Sequence, residues 1–217
     1  MVNNFEELAD EIRNAFERKN KIRDEALTQS RNLTRHAARA IRAIHREDTT
    51  LAREHLNEAD QLAAHLRQGL AKDPDLYFSG YAQDALKEYC EAHLTLAIIT
   101  NEPWPSPDDL QVEYPTYLNG LSEVVGELRR RIMDIMRQGH SQEVERLLDV
   151  MDEIYAQLVT MDFPDAMTYG LRRRTDIARS IIERTQADVT VSYRQQQLEQ
   201  RINALSDQLK SIDPEDH

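Results

Sequence analysis

Four glutamates at helical spacing are the residues of this sequence best suited to hold a metal ion. Glu88 and Glu91 are three positions apart, and Glu123 and Glu127 are four apart, so each pair shares one face of a predicted helix. Two such faces brought together would offer only oxygen ligands, which suit Mg²⁺ or Mn²⁺. A bound cation of this kind activates water and neutralises charge on a phosphate. Acidic pairs at this spacing are also common on solvated helix surfaces, so the spacing leaves both interpretations open.

A row of arginines follows one side of the first predicted helix, with spacings of four, four, three and four residues, which places the row within an arc of roughly 80°. We call this row the arginine rail; it comprises Arg31, Arg35, Arg39, Arg42 and Arg46, and His45 adds a donor beside it. Guanidinium groups make forked hydrogen bonds to phosphate without reading base sequence, so the rail predicts nucleic-acid binding through the backbone. The alternative is a solvated face paired with carboxylates of neighbouring helices. No acidic residue occurs between the first and last arginine of the rail, which weakens that alternative.

Other catalytic chemistries have little support. No glycine-rich phosphate loop is present, and no Glu-x-x-His pair indicates a di-iron bundle. The single cysteine, Cys90, has no partner for a disulfide and no ligands at zinc spacing, so it is predicted to be a small buried apolar residue. The pair Glu88 and Glu91 is typical of all-α NTP pyrophosphohydrolases. The second acidic motif of that class is Glu-x-x-Asp, however, whereas three residues separate Glu123 from Glu127.

The composition predicts a cytoplasmic protein with a substantial core. Of the 217 residues, 40% are apolar and 30% are charged, which excludes a disordered composition. No apolar run of about 18 residues could span a membrane, and the first ten residues lack the basic start and apolar centre of a signal peptide. With 27 basic and 39 acidic residues, the formal net charge of −12 opposes bulk attraction of nucleic acid. Any nucleic-acid site must therefore be a local basic patch.

The prolines divide the chain into stretches that all carry helical periodicity. Apolar residues recur at three and four positions, only six glycines occur and β-branched clusters are rare, so we predict an all-α protein without strands. The predicted helices cover residues 3–46, about 49–72, 79–101, 115–138 and 141–161, followed by a long last helix that begins around Asp162 and Asp165. Breaks are predicted at Asp73-Pro74-Asp75 and at 102–109, where three prolines in five positions exclude helix.

We expect one domain, 1–217, with a core at about 5–190 and a C-terminal helical extension at 191–217. The extension carries an apolar stripe in which Leu198, Ile202, Leu205, Leu209 and Ile212 step by four, three, four and three, as in a heptad seam. Such a stripe needs a partner. The partner is either the chain's own domain or another molecule, and the sequence leaves both open.

Three segments of the sequence form a distinctive combination. They read Ser-Arg-Asn-Leu-Thr-Arg-His-Ala-Ala-Arg-Ala-Ile-Arg-Ala-Ile-His-Arg at 30–46, Tyr-Ala-Gln-Asp-Ala-Leu-Lys-Glu-Tyr-Cys-Glu-Ala at 81–92 and Tyr-Leu-Asn-Gly-Leu-Ser-Glu-Val-Val-Gly-Glu-Leu-Arg at 117–129. Together they resemble the translin family, including its translin-associated factor X branch. The segment 171–184 is similar to the last helix of that family, and the resemblance covers roughly residues 20–190.

The resemblance implies a bundle of about six or seven helices, with long first and last helices, that assembles into a hollow octamer. RNA or single-stranded DNA would bind basic residues that face the interior. In the factor X branch a carboxylate cluster makes a Mg²⁺-dependent endoribonuclease, whereas translin itself is the binding partner. Glu88 and Glu91 match the motif Glu-Tyr-x-Glu-Ala of that branch, and Glu127 matches the glutamate of Gly-Glu-Leu. Where the branch has Asp, this chain has Glu123, which keeps the charge and adds one methylene.

These observations together predict a Mg²⁺- or Mn²⁺-dependent endoribonuclease that acts on single-stranded or loop RNA within a homo-oligomeric shell. The predicted catalytic and metal-binding residues are Glu88, Glu91, Glu123 and Glu127, and the predicted nucleic-acid-binding residues are the arginine rail and His45. Two alternatives remain open. One is a non-catalytic oligomer that binds RNA or single-stranded DNA, and the other is an all-α NTP pyrophosphohydrolase.

Overall fold

The described part of the chain consists of helices joined by turns and loops. The computed structural model describes residues 5–212, and their side chains as far as residue 208. The helices in this part are α1 (Phe5–His45), α2 (Thr49–Leu70), α3 (Pro74–Tyr77), α4 (Gly80–Ile99), α5 (Pro107–Leu110), α6 (Tyr114–Met136), α7 (Gln142–Leu158), α8 (Asp165–Thr168) and α9 (Leu171–Ile212). No residue from 5 to 212 lies in a strand, and α1 and α9 are the longest helices, which confirms the predicted all-α class. The predicted start of the first helix at Asn3 lies outside the described residues.

The chain divides into two compact units, Met1–Leu121 and Ser122–His217, and the expectation of a single domain stays a prediction. None of the helices within residues 5–212 has the combination of length and apolarity that crossing a membrane requires.

In the first unit, α1 packs against α2 and α4. Its buried face repeats every three or four positions and includes Leu33, Ala37, Ala40, Ile41 and Ile44. Ala52 and Leu56 of α2 and Ala92 and Leu96 of α4 join the same core. The many alanines allow these helices to pack closely, because the distance between helix axes depends on the side chains at the contact. Most residues of α4 are buried, so α4 is the central helix of this unit.

The connections in this unit follow local chemistry. Asp48 accepts a hydrogen bond from Leu51 N at 3.0 Å and so caps α2, as its type and position predict. The prediction that residues 102–109 contain no helix is wrong at the end of this segment, where α5 begins. Pro107 occupies the first position of that turn, where no N–H is needed, and Ser106 and Asp109 cap each other reciprocally.

In the second unit, α7 packs against α9. The buried face of α7 comprises Val144, Leu147, Leu148, Met151, Ile154 and Leu158. Gln186 of α9 donates to both carboxylate oxygens of Asp152 at 3.1 and 3.0 Å. The last helix begins at Leu171 and not near Asp165, because Tyr169 and Gly170 adopt left-handed φ angles of 51° and 80° that end the single turn α8.

Candidate metal centre and nucleic-acid interface

Glu88 and Glu91 lie on α4, close to the beginning of α6. A Cβ added to Gly120 of α6 would lie 2.9 Å from Cys90 Cβ, 2.9 Å from Lys87 O and 3.3 Å from Glu91 N. The two helices therefore approach closely because residue 120 has no side chain. Cys90 is fully buried at this contact, as predicted, and burial raises the pKa of its thiol to about 12, which disfavours the reactive thiolate.

A polar contact between α2 and α4 holds the glutamate-bearing helix in place. Tyr89 donates its hydroxyl to Asp60 Oδ1 at 2.6 Å, and His93 Nε2 lies 3.0 Å from the same oxygen. Partial burial raises the pKa of Asp60, but the hydrogen bonds from His93 and Tyr89 outweigh it and lower that pKa overall. The carboxylate is therefore ionised over the physiological range and ties α4 to α2 beside the glutamates.

Glu123 lies one turn after Gly120 in α6, and residues three apart share a helix face. Glu88, Glu91 and Glu123 can each offer one carboxylate oxygen, and these oxygens lie within 4.8 Å of one another. Oxygens at this separation can contact one divalent cation, whose ligands lie at about 2.0–2.6 Å. Among the described residues this group does not include Glu127, so the predicted role of Glu127 as a ligand stays a prediction.

The burial of these glutamates differs from that of a solvated helix face. Glu91 is 7% exposed, and a carboxylate so deeply buried is costly unless positive charge and hydrogen bonds compensate it. Lys87, itself 8% exposed, places Nζ 3.1 Å from Glu88 Oε1. Arg174 of α9 donates through Nη1 to Glu123 Oε1. Basic side chains of the protein therefore offset part of the negative charge of the glutamates. A site with oxygen ligands alone fits Mg²⁺ or Mn²⁺.

The arginine rail is exposed along its whole length, whereas the opposite face of α1 is buried. Other arginines have carboxylate partners, such as Arg53 with Glu102 at 2.5 Å and Arg129 with Asp188 at 2.7 Å. Within the described part of the chain, no arginine of the rail forms an ion pair. The alternative of a solvated face neutralised by neighbouring helices is therefore disfavoured. His45 lies half-buried beside the rail.

Three further residues lie at these sites that the spacing analysis of single helices did not identify. His55 of α2 meets His36 of α1 beside the rail, with ring centroids 5.4 Å apart. Lys87 and Arg174 accompany the glutamates, but the partner of Arg174 is 51 positions away in the sequence. The available signal for Arg174 was its place in 171–184, the segment that resembles a family helix.

Comparisons with known proteins agree with this architecture. No established family profile matches the sequence. An uncharacterised protein of Methanocaldococcus jannaschii is 34% identical over 178 residues, which cover 81% of this chain and 78% of that protein. The structure of AfC3PO in complex with duplex RNA superposes with a TM-score of 0.79 at 32% identity, covering 85% of this chain and 95% of that one.

Two further solved structures have the same fold. AfC3PO alone gives a TM-score of 0.78 at 31% identity, with 85% of this chain and 96% of that chain covered. Apo-NeC3PO also gives a TM-score of 0.78, covering 88% of this chain and 98% of that chain, but at 22% identity it supports the shared fold alone.

Proposed function

The chain belongs to the translin-like family, which includes C3PO, and we propose that it binds RNA and cleaves it as a Mg²⁺- or Mn²⁺-dependent endoribonuclease. The observation that carries the catalytic part is the approach of Glu88 and Glu123 to the buried Glu91. A buried carboxylate beside two others is unfavourable without cations, so the arrangement has a physical reason to bind one.

RNA binding is supported by the exposed arginine rail, which forms no ion pair with the described residues, and by the solved complex of the relative AfC3PO with duplex RNA. Arginine forks bind phosphate in any sequence context, so the rail would position the strand without selecting bases. The proposed substrate is single-stranded or loop RNA. A duplex is an essential comparison in any assay because AfC3PO has been solved with one.

Separate groups of residues would bind the metal and the RNA. Glu88, Glu91 and Glu123 would hold the cation, and Glu127, one turn after Glu123, is proposed as a fourth acidic group of the site. When bound, the cation supplies an activated water and neutralises charge on the phosphate. The arginine rail and His45 would bind neighbouring phosphates. We also propose a cytoplasmic location, where a single buried thiol such as Cys90 remains reduced.

Glu91→Gln tests the catalytic proposal, because it removes a charge and keeps the shape. Cleavage of labelled single-stranded RNA with Mg²⁺ should fall by about 100-fold or more, with RNA affinity unchanged. Asp84→Asn is the matched control, since Asp84 is an exposed carboxylate on the same helix, and it should cleave normally. Full activity of Glu91→Gln would refute the metal centre.

Parallel incubations with duplex RNA, with free NTPs and with EDTA separate the alternatives. RNA binding without cleavage would favour the non-catalytic oligomer, and hydrolysis of NTPs with no action on RNA would favour a pyrophosphohydrolase. Arg35→Ala with Arg42→Ala should weaken binding equally across unrelated RNA sequences and reduce the slope of log affinity against log salt by about one to two. Arg53→Ala with Arg146→Ala removes the same charge from arginines that already have carboxylate partners and should bind RNA normally.

A further inference from the structure

The guanidinium of Arg174 contacts a candidate metal ligand. Its Nη1 donates to Glu123 Oε1, and the two side chains are only 30% and 27% exposed, so the contact is partly shielded from water. Arg172 and Arg173, its neighbours on α9, are exposed. Arg172 meets Asp162 at 3.3 Å, but both of those side chains are about three-quarters exposed, at 77% and 76%. Arg174 therefore differs from its neighbours in its partner and in its shielding.

A guanidinium and a divalent cation compete for the same carboxylate. Both bind through the oxygen lone pairs, and their like charges repel strongly where water screens them poorly. A cation held by Glu123 therefore disfavours the contact with Arg174. The reverse holds as well, because a guanidinium on Glu123 Oε1 offsets the negative charge that would attract the cation.

The same arrangement recurs on α4. Lys87 Nζ lies 3.1 Å from Glu88 Oε1, so Glu88, like Glu123, contacts a basic side chain of the protein itself. Such resident cations lower the repulsion among the carboxylates in the metal-free protein. Arginine is the better candidate for a second role, because its planar fork matches the oxygens of a phosphate, whereas an ammonium acts as a point charge.

We propose that Arg174 is a resident counter-cation of Glu123 that a divalent cation displaces, and that the displaced guanidinium then binds a phosphate of the RNA. This inference rests on the proposed function and assigns a role to a residue outside the glutamate set. Metal and RNA binding become coupled through Arg174, so each ligand strengthens the binding of the other.

Titration of Mn²⁺ by calorimetry tests whether Arg174 competes with the cation for Glu123. Arg174→Met keeps an unbranched apolar stem and removes the charged guanidinium, so we expect it to bind Mn²⁺ about tenfold more tightly than wild type. Arg173→Met, the exposed neighbour, should bind Mn²⁺ as wild type does. Arg174→Lys restores a charge that competes for the metal and should return the affinity towards the wild-type value.

Binding of a phosphate by the displaced guanidinium is tested with single-stranded DNA. This ligand carries the same phosphates, and an endoribonuclease leaves it intact. Its affinity for wild type and Arg173→Met should rise on adding Mn²⁺, and the rise should disappear in Arg174→Met. Thermal unfolding checks that each variant is folded. If Arg174→Met does not fold, Arg174→Lys decides the question, because a shorter ammonium that cannot fork should reduce the rise.

Equal or weaker Mn²⁺ binding by folded Arg174→Met overturns the inference and leaves the proposed metal centre intact. An undiminished Mn²⁺-dependent rise in DNA affinity in that variant, or in Arg174→Lys if that variant has to decide, also overturns it. Absence of Mn²⁺ binding by wild type overturns the metal centre itself and, with it, the role of Arg174.

Discussion

His36 illustrates how single residues on α1 respond to the charge around them. Burial, His55 of α2 and Arg39 of α1 all disfavour the protonated ring and lower its pKa from 6.5. Arg35 acts in the same direction, and Glu58 of α2 opposes it. Its Nδ1 is buried without a hydrogen-bond partner among the described atoms, so protonation there would place an uncompensated charge. His36 is therefore neutral in the folded protein at pH 7.

We expect the stability of the protein to depend on pH through His36. Its pKa in the folded state lies below the unfolded value of 6.5, so the unfolded chain takes up the proton first. The contribution of the neutral ring is complete above pH 6.5 and decreases as the pH falls towards the folded pKa. His36→Gln should flatten the decline in melting temperature between about pH 7.5 and 5. His65→Gln, at an exposed histidine of α2, is the control, and an unchanged slope in His36→Gln would contradict the argument.

At the scale of elements, the sequence predicts what local chemistry determines. The bounds of α2, α4 and α6 lie within a few residues of their predictions because apolar periodicity and caps such as Asp48 are local signals. The start of α9 was wrong because the left-handed φ of Tyr169 has no local signal, since residues other than glycine rarely adopt it. Pro164 and Asp165 are typical of a helix start, but the helix that begins there, α8, has a single turn.

The candidate site, like the helices, could be predicted only where the signal is local. Spacing alone places Glu88 and Glu91 on one face, because that relation lies within one helix. Spacing does not bring Glu123 to them, since that depends on how α6 packs on α4. Gly120 marks the contact, because the absence of a side chain there allows the close approach. Spacing raised Glu88, Glu91, Glu123 and Glu127 as a possible cation site, and the family resemblance strengthened that grouping; the group within the described residues contains the first three of them.

Gly120→Ala tests whether this helix contact positions the glutamates. The new Cβ would lie 2.9 Å from the backbone oxygen of Lys87, which cannot rotate away as a side chain could, so α6 must shift from α4. We expect a loss of about 1–3 kcal/mol in the free energy of unfolding, measured by urea titration, and weaker binding of Mn²⁺.

Gly126→Ala is the matched control on the same helix. A Cβ at that position meets nothing within 4 Å, and alanine favours helix over glycine by roughly 0.5–1 kcal/mol, so this variant should be more stable than wild type. If the two alanine variants behave alike in both measurements, close packing at Gly120 does not set the geometry of the site.

At the scale of the whole molecule, the arginine rail must act against an overall charge of −12. Several rails gathered on a shared surface would concentrate positive potential where one rail cannot. The apolar stripe of α9 offers a contact for such an assembly, because Leu198, Ile202 and Leu205 are 58%, 56% and 57% exposed. The described residues of their own chain leave them exposed, which favours a second molecule as the partner. The side chains of Leu209 and Ile212 lie outside the described residues.

We therefore expect a homo-oligomer, with an octamer as the form that the family resemblance implies. Light scattering should give a mass several times the 25.2 kDa of the chain. Leu198→Lys with Ile202→Lys places two charges on the stripe and should lower that mass. Gln200→Lys with Asn203→Lys adds the same charge at exposed positions on the other side of α9 and should leave the mass unchanged.

The RNA affinity of the dissociated variant decides whether assembly serves the rail. Each subunit then presents one rail against its own net negative charge, so binding should weaken and its salt dependence should decrease, because fewer phosphates are contacted at once. The Gln200 and Asn203 variant carries the same added charge and excludes a simple gain or loss of bulk attraction as the cause. A monomer that binds and cleaves RNA as wild type does would contradict this role of assembly, since one exposed rail would then suffice to hold the strand.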